Sequence, residues 1–242
     1  SDVCSSDLTT ANHTVTINSN PTANITPDPV EACIFDTVQI FGNPAGGNGA
    51  YTHLWTGTGQ PYLINNTVQN PLFTTTTMGG PYTLTYTVID GNGCQGTDVV
   101  TVNIHGLPKP LATIAPNPAC SGTTVTLTCT PGSYVSYQWT SLPPALPFSD
   151  TLAVTTIPNV VLGNAGVYRV TVTDAFGCSN FDDTTLVVNP TPTALAGNDS
   201  TLCWAQNGGG SITLGGATPP VIGGTAPFSY LWTSIPSGGG WS

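Results

Sequence analysis

The chain has 242 residues, a charged fraction of only 6% and a formal net charge of −10, with Lys109 and Arg169 as its only cations besides histidine. Displacing counterions from a polyanion takes clustered cations, so nucleic acid is excluded as a partner and an anionic membrane surface is disfavoured. No apolar run reaches the length of a membrane span, so no membrane insertion is expected within this segment.

An average globular protein carries roughly 25% charged residues. Here surface polarity has to come from Thr, Ser, Asn and Gln, while 28 Gly and 22 Pro mark turns. Thr and Val suit a half-buried pleated surface, and Gly and Pro stop helices, so the composition is that of an all-β protein. The chain begins at Ser1 with neither Met nor a signal-peptide pattern and reads as an internal fragment. Its opening SDVCSSDL resembles translated adapter sequence, and Cys4 is given no role.

Residues Thr9 to Asn18 read as the last strand of a preceding repeat, with Val15 and Ile17 before Asn18. The same ending returns as Val100 and Val102 before Asn103, and as Leu186 and Val188 before Asn189. A Pro-bearing joint follows each one: NSNPTA, HGLPKPLA and NPTPTA. Pro fixes φ and favours extended chain, so these joints are short, fairly stiff linkers. The domains expected are the end of a preceding repeat over 1–20, complete repeats over 21–106 and 107–191, and a truncated third repeat over 192–242.

In the first complete repeat, Val38 and Ile40 mark a second strand and NPAGGNG a turn into YTHLWT, the strand of Trp55. Asn65 to Thr77 holds one or two edge strands. Leu84, Tyr86 and Val88 then alternate with threonines, the pattern of a strand with one buried face. DGNG (Asp90 to Gly93) is a hairpin signal, since Gly and Asn tolerate positive φ. The second repeat gives the same order: Val125, Leu127 and Cys129; Tyr137 and Trp139 in SYQWTS; Tyr168, Val170 and Val172; then DAFG (Asp174 to Gly177). From Trp to the next Cys is 39 residues in both, Trp55 to Cys94 and Trp139 to Cys178. That identity establishes the repeat. The third has Cys203, Ile212, Leu214, Tyr230 and Trp232 in the expected order and stops before its late hairpin. Trp55, Trp139, Trp232 and Tyr168 are the expected core aromatics, because alternation sends each ring to the face that can be buried.

With the Trp strand, GVYRVTVTD (Gly166 to Asp174) and a Cys after the hairpin, the chain resembles bacterial immunoglobulin-like and PKD-type modules, which occur in tandem in large surface proteins of Bacteroidota, gliding-motility adhesins among them. The resemblance implies tandem immunoglobulin-like β-sandwich repeats of about 85 residues. NAGVY (Asn164 to Tyr168) looks like the turn into the strand whose Tyr anchors a corner. Two features depart from the pattern. Val170 stands where an antibody domain has its second core Cys, leaving Cys129 without that partner, and the WxFGDG signature of PKD modules is absent.

Cys33, Cys120 and Cys203 share one repeat position, and Cys94 and Cys178 another. One bridge within each complete repeat, Cys33 with Cys94 and Cys120 with Cys178, is the simplest pairing and the one expected in an oxidising exterior. Closing loops of about 60 residues would contribute roughly 4 kcal/mol. In an ordinary sandwich, however, the first and last hairpins lie at opposite ends, beyond the limit of about 7 Å between Cα atoms. A bridge between neighbouring repeats, Cys33 with Cys178, is therefore the alternative.

No paired Cys or His spacing suggests zinc. His53 replaces the Tyr that precedes Trp139 and Trp232 and reads as a packed ring. With a single Glu, Glu31, and no nucleophile–base–acid constellation, catalysis is not expected. Asp90, Asp174, Asp182 and Asp183 near the hairpins offer oxygens to calcium, although aspartates bonding their own turns are the preferred reading. N-x-S/T sequons at Asn12, Asn24, Asn65 and Asn198 are of a kind frequent by chance in a Thr-rich chain. Thr37, Thr151, Thr184 and Ser200 follow Asp in a pattern resembling the O-glycosylation motif of Bacteroidota.

The function expected is a non-enzymatic stalk or adhesive segment of a secreted or cell-surface adhesin, whose nearest partners are neighbouring repeats. One rival has the repeats bind glycan or protein through loops Gly57 to Asn66 and Leu142 to Asp150, with Tyr62 or Phe148 as contacts. Another makes them accessory modules of a secreted hydrolase.

Overall fold

A computed structural model describes residues 14–197 and 221–233. The chain divides into two units, Ser1–Leu107 with Phe176–Cys178, and Pro108–Ala175 with Ser179–Ser242. Among the described residues helical turns are confined to two short 3₁₀ segments, Gln60–Tyr62 and Leu162–Asn164.

In the first unit the Trp55 strand, Thr52–Thr56, forms one edge of a four-stranded sheet. It pairs antiparallel with Tyr82–Ile89, Trp55 lying opposite Tyr86. Through the DGNG hairpin that strand pairs with Gln95–His105. Alternation does the sorting: Leu84, Tyr86 and Val88 are fully buried, while the threonines between them stay partly exposed. Val30–Cys33 completes the sheet by running parallel to Gln95–His105, with Val30 opposite Val102. A second layer pairs Thr37–Gln39 with Leu72–Thr74. One core holds both layers, with Ile40 and Phe73 among the residues packed with Trp55.

The second unit repeats this plan. Its four-stranded sheet has the order Ser149–Asp150, Ser136–Ser141, Gly166–Thr173, Ser179–Leu186. A three-stranded sheet has the order Val154–Ile157, Val125–Thr130, Leu111–Ala115. Here too a short first strand, Ala119–Cys120, runs parallel to the last, Val188–Asn189.

In both units a P-x-P step splits the first segment, Pro27-Asp28-Pro29 and Pro116-Asn117-Pro118. Proline donates no N–H to a ladder. Before the step the chain joins one sheet, Thr26 bridging Phe41 and Ala115 pairing with Thr126. After it the chain joins the other sheet. Two packed sheets with a first segment shared between them, and a Trp strand beside the long late strand, make each unit an immunoglobulin-like β-sandwich.

Trp55 and Trp139 are fully buried, and their indole N–H groups donate to carbonyls 13 residues on, Val68 at 2.9 Å and Leu152 at 3.1 Å. The Tyr168 hydroxyl donates to the Asn164 carbonyl at 2.8 Å, a tyrosine corner. The register places Tyr86 of the first unit where the second has Val170, each opposite its Trp. The larger ring needs room, which Gly42 supplies: a Cβ there would lie 2.5 Å from the Tyr86 ring and 2.9 Å from the Gln69 carbonyl.

Two expectations are corrected. No strand forms over 14–20, and Val15 and Ile17 are exposed, because none of the described residues gives their alternating side chains a sheet to cover. Trp232 is 55% exposed and lies outside any strand, so it is not a core residue. Among the described residues of this repeat, Val221–Ile222 pairs with Thr193–Ala194. Cys203, Ile212 and Leu214 lie outside the described residues.

Gly42→Ala is expected to destabilise the first unit by about 1–3 kcal/mol through overpacking, while amides of the second unit keep their hydrogen-exchange protection. Adding Tyr86→Val should recover part of the loss. Unchanged protection in the first unit of Gly42→Ala would contradict the steric account.

Candidate functional site: a disulfide on a hairpin tip

The DAFG hairpin joins Gly166–Thr173 to Ser179–Leu186, the last ladder pair being Thr173 with Ser179. Gly177 takes φ +83, as Gly93 does in the equivalent hairpin of the first repeat. That conformation costs a residue with Cβ and turns the chain sharply enough to set Cys178 at the tip.

The strand of Cys33 ends beside His105, its register partner, and the Ile34 N–H donates to the His105 carbonyl at 2.9 Å. Cys33 and Cys178 form a disulfide with their Cα atoms 5.6 Å apart. Both are buried. Pairing is thus between the two repeats, and the expected in-repeat pairs, Cys33–Cys94 and Cys120–Cys178, do not form. Cys94 is a half-buried free thiol and Cys120 an exposed one.

Around the bond lies a small cluster that the sequence reading missed. The His105 ring stacks on Phe176, centroids 3.7 Å apart with an interplanar angle of 11°. Nε2 of His105 meets the Glu31 carboxylate, whose other oxygen accepts a hydrogen bond from the Asn103 amide at 2.8 Å. The His105 bond, then the Asn103 bond, hold the Glu31 carboxyl below its ordinary value, with desolvation opposing them. A signal was present: the tip reads DAFG where the first repeat has DGNG, and an aromatic ring at a hairpin tip calls for a partner.

Cys33 and Cys120 both close a strand and start the same turn, Asp36 N–H to the Cys33 carbonyl and Thr123 N–H to the Cys120 carbonyl, each 3.1 Å. They differ in reach. Cys33 faces His105, whereas Cys120 faces Asn189, the counterpart of Asn103 two residues earlier. At about 3.3 Å per residue the first repeat carries its cysteine roughly 7 Å further along the late strand.

The remaining candidates have structural partners. Cys129 is buried, and burial pushes its thiol up, which makes it inert as a nucleophile. His53 is held low by burial, with Nδ1 2.7 Å from the Tyr86 hydroxyl. Burial pushes that hydroxyl up to about 12, so it stays protonated beside the His53 ring. The Asp90 carboxylate accepts backbone N–H bonds from Asn48, Asn92 and Cys94 at 2.9–3.0 Å, which hold the hairpin. Asp98 and Asp182, each four residues after a hairpin Cys, take the N–H of Ile25 and Ala112 at 2.7 and 2.8 Å and tie the first segment to the last strand. Asp183 holds Arg169 in a two-bond pair. Among the described residues no three His, Cys, Asp or Glu side chains converge as a metal site.

Tyr62 packs on Phe73 and Tyr82, and Phe148 meets Tyr168 edge-on, so both rings expected as ligand contacts serve the cores. Thr37 and Thr151 are exposed and Thr184 half-buried, while Ser200 lies outside the described residues.

No family model matches the chain. No curated protein matches it either. Among solved structures, it is similar to the N-terminal eight Ig domains of Down syndrome cell adhesion molecule, at 17% identity over 75% of this chain and 26% of that one, TM-score 0.47. Three N-terminal domains of the highly immunogenic outer capsid protein of bacteriophage RB49 align at 18% identity, over 74% and 61% of the two chains, TM-score 0.38. Drosophila OTK extracellular domains 3–5 align at 15% identity over 69% and 61%, TM-score 0.32. The chain spans less than two thirds of each of these structures. Such scores carry none of these proteins' roles over to it.

The Glu31 contribution to stability is complete above the ordinary glutamate value of 4.5. It is lost as pH falls through the lower folded-state value, because the protonated carboxyl no longer accepts these hydrogen bonds as a carboxylate. Glu31→Gln is therefore expected to flatten the change of the first unit's unfolding midpoint between roughly pH 5 and pH 3. A slope identical to the parent's contradicts the assignment.

Proposed function

We propose that the chain is a non-enzymatic repeat segment, stalk or adhesive region, of a secreted or cell-surface adhesin of the bacterial immunoglobulin-like type. The observation that carries this reading is the Cys33–Cys178 bond, which joins residues of successive repeats across 145 positions of sequence. Disulfides persist in oxidising surroundings, which suits the exterior of a cell. Tension applied at the two ends of the chain passes from Cys33 to Cys178 through the sulfurs. The sequence between them is shielded, which is a useful property in a tether and of no evident use to a catalyst.

The titratable groups support the same reading. Glu31, Asp90, Asp98, Asp182 and Asp183 each hold a strand, a turn or a cation in place. With Tyr62 and Phe148 committed to the cores, a spacer is favoured over a glycan-binding module. No described helix is long and apolar enough to cross a membrane.

Stretching single molecules by their ends tests the mechanical role. With the bond intact the span from Cys33 to Cys178 should contribute no extension. After reduction it should release about 500 Å of additional contour length, at roughly 3.3–3.6 Å per residue. Equal contour lengths in the two states would remove the tether reading.

A further inference from the structure

An asparagine followed by glycine closes readily on its own backbone, because glycine has no Cβ to shield the attacking nitrogen. Among the described residues this step occurs twice, in the loop before the Trp55 strand and in the first hairpin, and both copies read Gly-Asn-Gly, at 47–49 and 91–93. A third, Asn207 with Gly208, lies outside the described residues. Identical flanking residues give Asn48 and Asn92 nearly the same intrinsic reactivity, and both are exposed. What separates them is the fold.

The reacting group is the amide nitrogen of the following glycine, which must lose its proton before it attacks. In the hairpin that N–H is engaged. Gly93 donates to the Asp90 carbonyl at 2.9 Å, inside a turn whose Asn92 and Cys94 N–H groups are held by the Asp90 carboxylate at 3.0 and 2.9 Å. In the loop the Asp90 carboxylate holds the Asn48 N–H at 2.9 Å, one peptide too early to protect the next. Gly49 turns away at φ +76, and among the described residues its N–H meets no acceptor. A Cβ built there would have nothing within 4 Å, which leaves room for a five-membered ring. Asp90 with Gly91 is closed to the same chemistry, since Asp90 is buried and its oxygens accept three backbone N–H bonds.

We propose that Asn48 is a site of spontaneous deamidation, selected over Asn92 by its free neighbouring N–H. Hydroxide removes the Gly49 amide proton, and the nitrogen attacks Cγ of Asn48. The Cγ–Nδ2 bond breaks, and ammonia leaves with a proton taken from water, which returns the hydroxide and leaves a succinimide. Water then opens the ring at either carbonyl, giving an aspartyl or an isoaspartyl residue whose new acid ionises. Nothing is oxidised or reduced.

The conversion loosens a clamp between loop and hairpin. Nδ2 of Asn48 donates to Oδ1 of Asn92 at 3.2 Å, a bond that a carboxylate cannot make. The new charge also lies beside the Asp90 carboxylate, and like charges at close range repel. The isoaspartyl form adds a carbon to the backbone directly after the N–H that Asp90 holds. Ala45–Gly46 of the same loop pairs with Pro21–Thr22, so the loosening extends to the proline joint.

The whole chain is aged in mildly alkaline and in mildly acidic buffer, with and without denaturant. It is then digested so that Asn48, Asn92 and Asn207 fall on separate peptides, and electron-transfer fragmentation distinguishes aspartyl from isoaspartyl products. In the folded chain Asn48 is expected to convert several-fold faster than Asn92, faster in alkali than in acid, and mainly to the isoaspartyl form. In denaturant the two rates should converge. Aged folded chain should also lose hydrogen-exchange protection at Asn92 and Cys94, a loss absent from Asn48→Gln aged in parallel. Conversion of Asn92 as fast as Asn48 in the folded chain overturns the proposal, and so does a folded chain in which Asn48 stays intact while denatured chain converts.

Discussion

Each sandwich is built around an indole that is buried but polar at one end. A fully buried Trp contributes a large apolar surface, and its N–H must find an acceptor or cost about 1–3 kcal/mol. In both repeats the acceptor is a carbonyl 13 residues downstream, of Val68 or Leu152. That bond ties the loop after the Trp strand to the core. It also explains why the segment between them has the same length in the two repeats although its sequence differs. The other rings adapt: Tyr86 stacks on Trp55 at 4.6 Å, with Gly42 cleared for it, while Val170 leaves the second core to Tyr168 and its corner bond.

Scarcity of charge shapes the rest. Several of the few ionisable groups fix backbone or one another. Asp98 and Asp182 hold the first segment to the last strand, Asp90 closes its hairpin, and Arg169 lies over Phe181 at 3.7 Å while paired with Asp183.

The order of strands, the buried face of each, the two hairpins and the role of Trp55, Trp139 and Tyr168 were legible in the sequence. All of them follow from alternation and turn chemistry within one repeat. What escaped depends on relations between repeats. The cysteines recur at matching positions of the two repeats, 61 residues apart from Cys33 to Cys94 and 58 from Cys120 to Cys178, and local reasoning turns that into bonds inside each. The deciding quantity is the reach of the first strand, two pairing steps longer before Cys33 than before Cys120, which no composition or periodicity reports. Trp232 shows the converse: its strand pattern matches the other two, yet it is exposed and lies outside any strand.

The Cys33–Cys178 bond can be tested directly, because the sequence offers few cleavage sites. Met78 is the only methionine, and Lys109 precedes Pro110, which leaves Arg169 as the one efficient tryptic site. Cyanogen bromide followed by trypsin, without reductant, therefore yields fragments 1–78, 79–169 and 170–242. The monomeric chain is predicted to give 1–78 joined to 170–242 through Cys33 and Cys178, with 79–169 released carrying Cys94, Cys120 and Cys129 as free thiols. Recovery of all three fragments in one species, linked Cys33 to Cys94 and Cys120 to Cys178, would contradict it.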